Sequence, residues 1–160
     1  MKNYVDAEHG GYRMDAAQTT TTLTGEFVKY LNFSIPASAT YVFDGYVGVG
    51  NSAATGNKWA ITFPSDAFMS CTFFGNSAAM NAAAPIFNQS RNMTTSGTLT
   101  TTVFAKAADQ NSFMTFRGSV TNGATPGYVE LKGANVAAGT LTFQRGSYIK
   151  WYNMSSTTAF

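Results

Sequence analysis

The sequence predicts an all-β fold: a jelly-roll β-sandwich of about eight to ten strands with an extended N-terminal arm. Apolar residues recur at every second position along most of the 160-residue chain. Turn-forming residues separate these runs at intervals of about 8–15 residues, and no amphipathic helical stretch lies between them. Short strands with regular turns and no helices are typical of sandwiches and barrels. A double-sheet jelly roll best accommodates this number of strands.

The first predicted strands show alternating apolar and polar positions. Segment 40–49 places four apolar side chains on one face of a strand: Tyr41, Phe43, Val47 and Val49. Three other side chains of this segment share the opposite face: Thr40, Asp44 and Tyr46. Segment 59–63 repeats the alternation and ends at Pro64, which has no N–H to donate to a neighbouring strand.

The later strands follow the same pattern. The aromatic run 68–74 contains Cys71, which is predicted to be a small buried side chain. Five further segments are predicted as strands: 99–106, 113–120, 128–132, 141–144 and 148–153. Turn signals separate them, such as Asn122-Gly123 and Arg145-Gly146, whereas the Ala-rich segment 77–84 is predicted to be a loop or a single turn. The firmest core predictions are Phe43, Ile61, Cys71, Phe116 and Leu141.

The chain divides into an arm (1–18), a jelly-roll domain (19–154) and a short C-terminal tail (155–160). Fully extended, the arm reaches about 60 Å, whereas the radius of gyration of a domain this size is about 15 Å. The arm therefore either lies across a neighbouring subunit or is a frayed terminus. The residues that would make an assembly contact are Tyr4, Asp6, Glu8, His9, Tyr12 and Arg13.

Composition and charge exclude several classes of protein. Only 11% of the residues are charged and the formal net charge is +2, which is unlike a nucleic-acid-binding protein. No apolar stretch is long enough to cross a membrane, and the polar N-terminus does not resemble a signal peptide. We therefore expect the chain to fold in a cytoplasm, its own or a host's. The single cysteine excludes an intrachain disulfide and a thiolate metal cluster.

The sequence predicts no catalytic residue, no cofactor and no metal site. His9, the only histidine, lies in the arm, which is a poor position for a general base. Asp6, Glu8, His9 and Asp15 are suitable metal ligands but lack the spacing of a calcium-binding loop. The remaining carboxylates are scattered singly along the chain: Glu26, Asp44, Asp66, Asp109 and Glu130. We therefore predict that the protein is not an enzyme.

Exposed aromatic side chains on a surface poor in charge suggest contact with another molecule. Five aromatic residues are candidates for a subunit interface or a platform for sugar: Trp59, Tyr128, Tyr148, Trp151 and Tyr152. Taken singly, each is more often a core or half-buried residue.

The C-terminal third resembles bacteriophage virion proteins with a tumour-necrosis-factor-like jelly-roll domain. The segments that carry the resemblance are 113–120, 127–131, 137–143 and 145–151. Segment 33–43 is similar to the turn and long early strand of that family. The resemblance covers about residues 19–154, and the long charged arm departs from it.

The resemblance implies a non-enzymatic structural protein of the virion, made in the host cytoplasm. Members of such a family commonly form trimers through their inner sheets. Since the chain has no shaft or coiled coil, we expect a capsid decoration or cement protein that forms a homotrimer and contacts the major capsid protein. The alternative is a receptor-binding module at a tail or fibre tip that recognises host-surface glycan. A hydrolase acting on host polysaccharide is a third class, and it would need paired carboxylates.

Overall fold

The computed structural model describes residues 2–5, 9–21, 28–52, 57–76, 87–94, 98–100, 110–136 and 138–155. All regular elements in these ranges are β-strands, which confirms the all-β prediction. The thirteen strands are β1 (Lys2–Val5), β2 (His9–Arg13), β3 (Gln18–Thr20), β4 (Val28–Ile35), β5 (Thr40–Asn51), β6 (Asn57–Thr62), β7 (Phe68–Asn76), β8 (Phe87–Thr94), β9 (Thr98–Thr100), β10 (Gln110–Thr121), β11 (Gly127–Asn135), β12 (Leu141–Phe143) and β13 (Tyr148–Asn153). The number exceeds the prediction because β1, β2, β3, β4 and β8 lie outside the segments predicted as strands.

The strands form two antiparallel sheets, as predicted for a β-sandwich. The larger sheet has nine strands in the order β1-β2-β13-β5-β10-β7-β8, with β12 pairing with β3 and β5. The smaller sheet has four strands in the order β4-β11-β6-β9. From β4 onward the chain passes repeatedly between the two sheets. The finer assignment to the jelly-roll class stays a prediction.

The core lies between the sheets and is built from the inward positions of the strands. All five of the firmest core predictions are buried: Phe43, Ile61, Cys71, Phe116 and Leu141. The ring of Phe116 lies 6.3 Å from those of Phe43 and Phe73, so three neighbouring strands of the larger sheet meet at one aromatic cluster. At the Arg145-Gly146 turn signal, Gly146 has a φ of 91°, a conformation that glycine tolerates best.

Part of the predicted N-terminal arm belongs to the sandwich. Strand β2 pairs with β13 from Tyr152 to Tyr148, and Met14, which follows β2, is only 1% exposed. Met14 N–H donates to the Ser147 carbonyl and Gly146 N–H donates to the Met14 carbonyl, both at 2.8 Å. Residues 9–14 therefore belong to the sandwich, whereas the sequence predicted them as part of an extended arm.

Several sequence expectations lie outside the described residues. They include the loop at 77–84, the arm residues Asp6 and Glu8, and the last part of the C-terminal tail, 156–160. Of the predicted strand 99–106, the structure describes only the part that falls in β9.

The two adjacent glycines of β2 give a matched test of its docking. A Cβ atom at Gly10 would lie 2.5 Å from Cζ2 of Trp151, whereas at Gly11 its closest contact would be 3.5 Å, to the Ile149 carbonyl oxygen. We expect Gly10→Ala to lower the free energy of unfolding by ~1–3 kcal/mol through overpacking. Gly11→Ala should change it by less than ~0.5 kcal/mol. Urea unfolding followed by tryptophan fluorescence measures both, and equal effects would contradict the docked position of β2.

Burial raises the pKa of the Cys71 thiol to about 12. Because the thiol of the unfolded chain ionises near its ordinary pKa of about 8.5, the stabilising effect of this group is complete below that pH. It is lost as the pH rises from about 8.5 toward 12. We expect native protein at pH 8 to resist a thiol reagent and to be labelled only as fast as it unfolds. Rapid labelling of folded protein would contradict this burial.

Candidate functional site

The outer face of the smaller sheet is polar. We call it the polar face and define it by Lys58, Thr62, Tyr128, Glu130 and Lys132, all at least partly exposed. Glu130 lies at its centre: its Oε2 accepts a hydrogen bond from Thr62 Oγ1 at 3.2 Å and lies 3.4 Å from Lys132 Nζ. Its one strongly exposed aromatic residue is Tyr128, at 57%. Two lysines, one carboxylate and a hydrogen-bonded hydroxyl group are typical of a surface that faces water.

The outer face of the larger sheet is aromatic. We call it the aromatic face and define its rings as Tyr46, Phe68, Phe74, Tyr148 and Tyr152, which are 36–43% exposed. They are five of the seven large apolar side chains exposed within the described part of the chain. A concentration of exposed rings on one sheet makes this face a candidate contact surface.

Strand register arranges the aromatic face in three rows that cross β13, β5, β10 and β7. The central row contains charged and polar residues: Lys150, Asp44, Arg117 and Thr72. One flanking row is mostly aromatic: Tyr148, Tyr46, Thr115 and Phe74. The other flanking row begins with a ring and continues with smaller side chains: Tyr152, Val42, Ser119 and Ser70. Since successive outward positions on a strand are about 6.8 Å apart, the charges lie between two borders that contain rings.

The central row holds two cationic side chains around one carboxylate. Lys150 Nζ lies 3.5 Å from Asp44 Oδ2, and both side chains remain partly exposed. The nearby Asp44 carboxylate raises the pKa of Lys150, with a smaller contribution from Tyr152. Arg117 faces Asp44 from the other neighbouring strand, because β10 pairs with β5 at this position. The row therefore keeps an excess of positive charge.

The aromatic row forms a stacked series. The ring of Tyr46 lies 6.3 Å from that of Tyr148 and 6.2 Å from that of Phe113, with interplanar angles of 22° and 16°. Lys150 Nζ lies 6.0 Å from the centre of the Tyr148 ring. A nearly continuous strip of ring surface thus borders the charged row.

The three rows surround a shallow depression of about 820 Å³. A second depression, of about 510 Å³, adjoins it at Tyr148 and is also lined by Arg13, Asp15, Arg145 and Lys150. Together the two depressions contain four cationic side chains and two carboxylates: Arg13, Arg117, Arg145, Lys150, Asp15 and Asp44. This local excess of two positive charges equals the formal net charge of the whole chain.

The structure separates the five aromatic residues predicted as contacts. Tyr148 and Tyr152 lie on the aromatic face, whereas Tyr128 lies on the polar face of the other sheet. Trp59 is fully buried, with its Nε1 donating to Asn57 Oδ1 at 2.6 Å, so its prediction as a surface contact is wrong. Trp151 is partly buried and stacks on Phe33 at 4.9 Å, on the core side of β13.

The predicted arm residues also divide. Arg13 lines the second depression. Tyr12 packs against the core, and burial, with a smaller contribution from Asp15, raises the pKa of its hydroxyl. Tyr4 lies in β1 and His9 in β2. At these two positions the structure describes the backbone but not the side chain.

Sequence reasoning missed the charged row and the part played by Phe74. The alternation already placed Asp44 and Arg117 on outward positions of their strands. Alternation within a strand does not give the strand register, which is what makes Asp44 and Arg117 neighbours.

Asp66 and Glu130 line a third depression, of about 410 Å³. Hydrogen bonds, chiefly from the backbone N–H of Thr125 at 3.0 Å, lower the pKa of Asp66. A glycosidase needs a general acid with a raised pKa, so this carboxyl is poorly suited to that role. Among the described residues, no group of three His, Cys, Asp or Glu side chains is arranged to hold a metal ion. The same ranges contain no helix that could cross a membrane.

No family model and no curated protein matches the chain. Among solved structures, it aligns with accessory secretory protein 1, 2 and 3 of Streptococcus pneumoniae at 7% identity and a TM-score of 0.21, covering 92% of this chain and 84% of that one. It aligns with the infectious bursal disease virus Gx strain structure at 9% identity and a TM-score of 0.20, covering 95% of this chain and 38% of that one. It aligns with TmCBM61, solved with β-1,4-galactotriose, at 10% identity and a TM-score of 0.18, covering 88% and 68%. Scores this low establish neither a shared fold nor a shared function.

The Asp44–Lys150 pair predicts a change in titration. Because the Asp44 carboxylate is the main cause of the raised pKa of Lys150, we expect Asp44→Asn to move that pKa back toward its ordinary value. Titration of the lysine side-chain signals by NMR measures the change. Glu130→Gln, on the polar face, is the control and should leave Lys150 unaffected. An unchanged Lys150 pKa in Asp44→Asn would contradict the pairing.

Proposed function

We propose that the chain is a non-enzymatic structural protein of a phage virion that recognises host-surface glycan through its aromatic face, as a receptor-binding module. The observation that carries this proposal is the charged and polar row between two borders that contain aromatic rings. We further propose that its domain is a tumour-necrosis-factor-like jelly roll, in keeping with the sequence resemblance. The repeated passage of the chain between two antiparallel sheets from β4 onward supports this assignment.

The side chains of the aromatic face suit a sugar. Ring surfaces such as those of Tyr46 and Tyr148 pack against the apolar faces of sugar rings, while hydroxyl and charged groups bind sugar hydroxyls. The depression is bordered by rings such as Tyr148 and Phe74, with Thr72 and Ser119 among its hydroxyl-bearing residues. Its volume of about 820 Å³ lies within the usual range for ligand sites.

The position of the charges favours a sugar over a protein partner on this face. Protein interfaces are depleted of charged residues at their centre and carry polar groups at the rim. Here the order is reversed, since Lys150, Asp44 and Arg117 occupy the centre and rings lie on either side. Burying this row under an apolar partner would remove its charges from water at considerable cost.

The second candidate is a capsid decoration or cement protein that forms a homotrimer and contacts the major capsid protein. The contrast between the aromatic face and the polar face favours it, because a surface with five exposed rings is suited to cover by another protein. In this role the N-terminal residues, with β1 at one end of the larger sheet, would contact a neighbouring subunit.

Removal of one ring tests the proposed function. We expect Tyr148→Ala to weaken binding to host-surface glycan by about tenfold or more, since a central aromatic contact contributes at least ~2 kcal/mol. Tyr128→Ala is the matched control, because Tyr128 is a more exposed tyrosine on the opposite sheet. Glycan arrays and titration calorimetry measure both variants. Equal effects of the two substitutions would contradict recognition by the aromatic face.

Mass in solution separates the two candidates. Light scattering at several concentrations measures whether the protein associates, and the Tyr148→Ala variant tests whether association uses the same face. A species of three chains that dissociates in Tyr148→Ala and binds no glycan would replace the receptor-binding proposal with the decoration proposal. Glycan binding lost in Tyr148→Ala without a change of mass would support the receptor-binding proposal.

A further inference from the structure

We infer that the glycan recognised by the aromatic face is acidic, a sugar chain that carries carboxylate or sulfate groups. This inference rests on the proposed glycan-binding function and specifies the class of ligand for the same surface. It is carried by the kind and arrangement of the charged side chains in the two adjoining depressions.

The two depressions carry an excess of positive charge. The two depressions hold four cationic side chains against the carboxylates of Asp15 and Asp44. The polar face, by comparison, holds Lys58 and Lys132 against Glu130, which lies 3.4 Å from Lys132. Among the described residues, the two depressions therefore carry a larger excess of positive charge than the polar face, and such a surface attracts anionic ligands over neutral ones.

The central row places one cationic side chain on each side of Asp44. Lys150 and Arg117 lie on strands separated by β5, so their Cα atoms are about 9.6 Å apart across the sheet. Asp44 stands between them and is paired with Lys150 at 3.5 Å. The Arg117 guanidinium has a planar set of donors that matches carboxylate and sulfate oxygens two at a time. An anionic group of the ligand would therefore bind on the Arg117 side of the row.

Positively charged side chains continue past Tyr148 into the second depression. Arg13 pairs in register with Tyr148 and lines the second depression together with Arg145. From β2 to β10 the positive positions extend over three strand spacings, or about 14 Å. This length suits a chain of several sugars with repeated anionic groups better than a single small anion.

Ring surfaces lie next to the charged side chains and would contact the same ligand. Tyr148 lies between the two depressions and Phe74 closes the far end of the aromatic row. Rings exclude water from the neighbouring polar groups, and a charge pair is stronger where water is excluded. Neutral sugars would pack on the rings and accept hydrogen bonds from the cationic groups, but they would form no charge pair with them.

The test compares acidic polysaccharides with neutralised forms of the same chains. The panel contains oligogalacturonate, hyaluronan, polysialic acid and a sulfated glycosaminoglycan, each beside its methyl-esterified or desulfated form. We expect at least one acidic chain to bind the full-length protein tenfold or more tightly than its neutralised form. We also expect this preference to fall as salt rises from 50 to 500 mM.

Two lysines give matched variants. Lys150→Gln and Lys132→Gln each remove a lysine that is ion-paired to a carboxylate, at 3.5 and 3.4 Å, but they lie on opposite sheets. Lys150→Gln and Arg117→Gln should each reduce binding of the acidic chain by about tenfold, whereas Lys132→Gln should leave it unchanged. Circular dichroism and urea unfolding check that each variant is folded.

The possible outcomes are distinct. Equal binding of acidic and neutralised chains would overturn the inference and leave the glycan-binding function standing. Binding to none of the chains, acidic or neutral, would overturn both. An acidic preference reduced as much by Lys132→Gln as by Lys150→Gln would show general attraction to the protein surface and would also overturn the inference.

Discussion

The pairing of β5 with its two long neighbours is the constraint on which the rest of the molecule depends. Strand β5 pairs with β10 from Thr40 to Asn51 and with β13 from Tyr41 to Tyr46. Side chains alternate between the two sides of a strand, so a slip of one residue would exchange every inward and outward position. The register that buries Phe43 against Phe116 is the same register that aligns Asp44 with Arg117. Core packing thereby fixes the surface chemistry of the aromatic face.

This constraint also explains how far the sequence could predict the molecule. Alternation within segments 40–49 and 113–120 was enough to assign inward and outward residues, because that information is local. The charged row could not be predicted from the sequence, because it depends on which strands are neighbours and on the register in which they pair. Trp59 shows a related limit, since a tryptophan in an alternating strand reads the same whether it faces the core or a ligand. Segment 1–18 was predicted to be an arm, whereas Gly10 within it gives the Trp151 ring room to lie against β2.

Because few residues of the chain are charged, the position of each one strongly affects the electrostatic field near it. In a chain with 11% charged residues, a few side chains determine the electrostatic field near a whole face. The polar face holds two lysines against one carboxylate, whereas the two depressions on the other sheet hold four cationic side chains against two carboxylates. Composition alone therefore described the average surface correctly, but it gave no indication that the two faces differ.

The burial of Cys71 has a consequence for the surroundings in which the protein can persist. Its thiol lies in the core and is only 1% exposed, and its raised pKa leaves almost no thiolate at neutral pH. Disulfide exchange and oxidation both require an accessible thiolate. The thiol of the folded chain is thus insensitive to the redox state around it. It can pass from a reducing cell interior to an oxidising exterior without a covalent change at its single cysteine, and two copies that meet there do not become cross-linked through it.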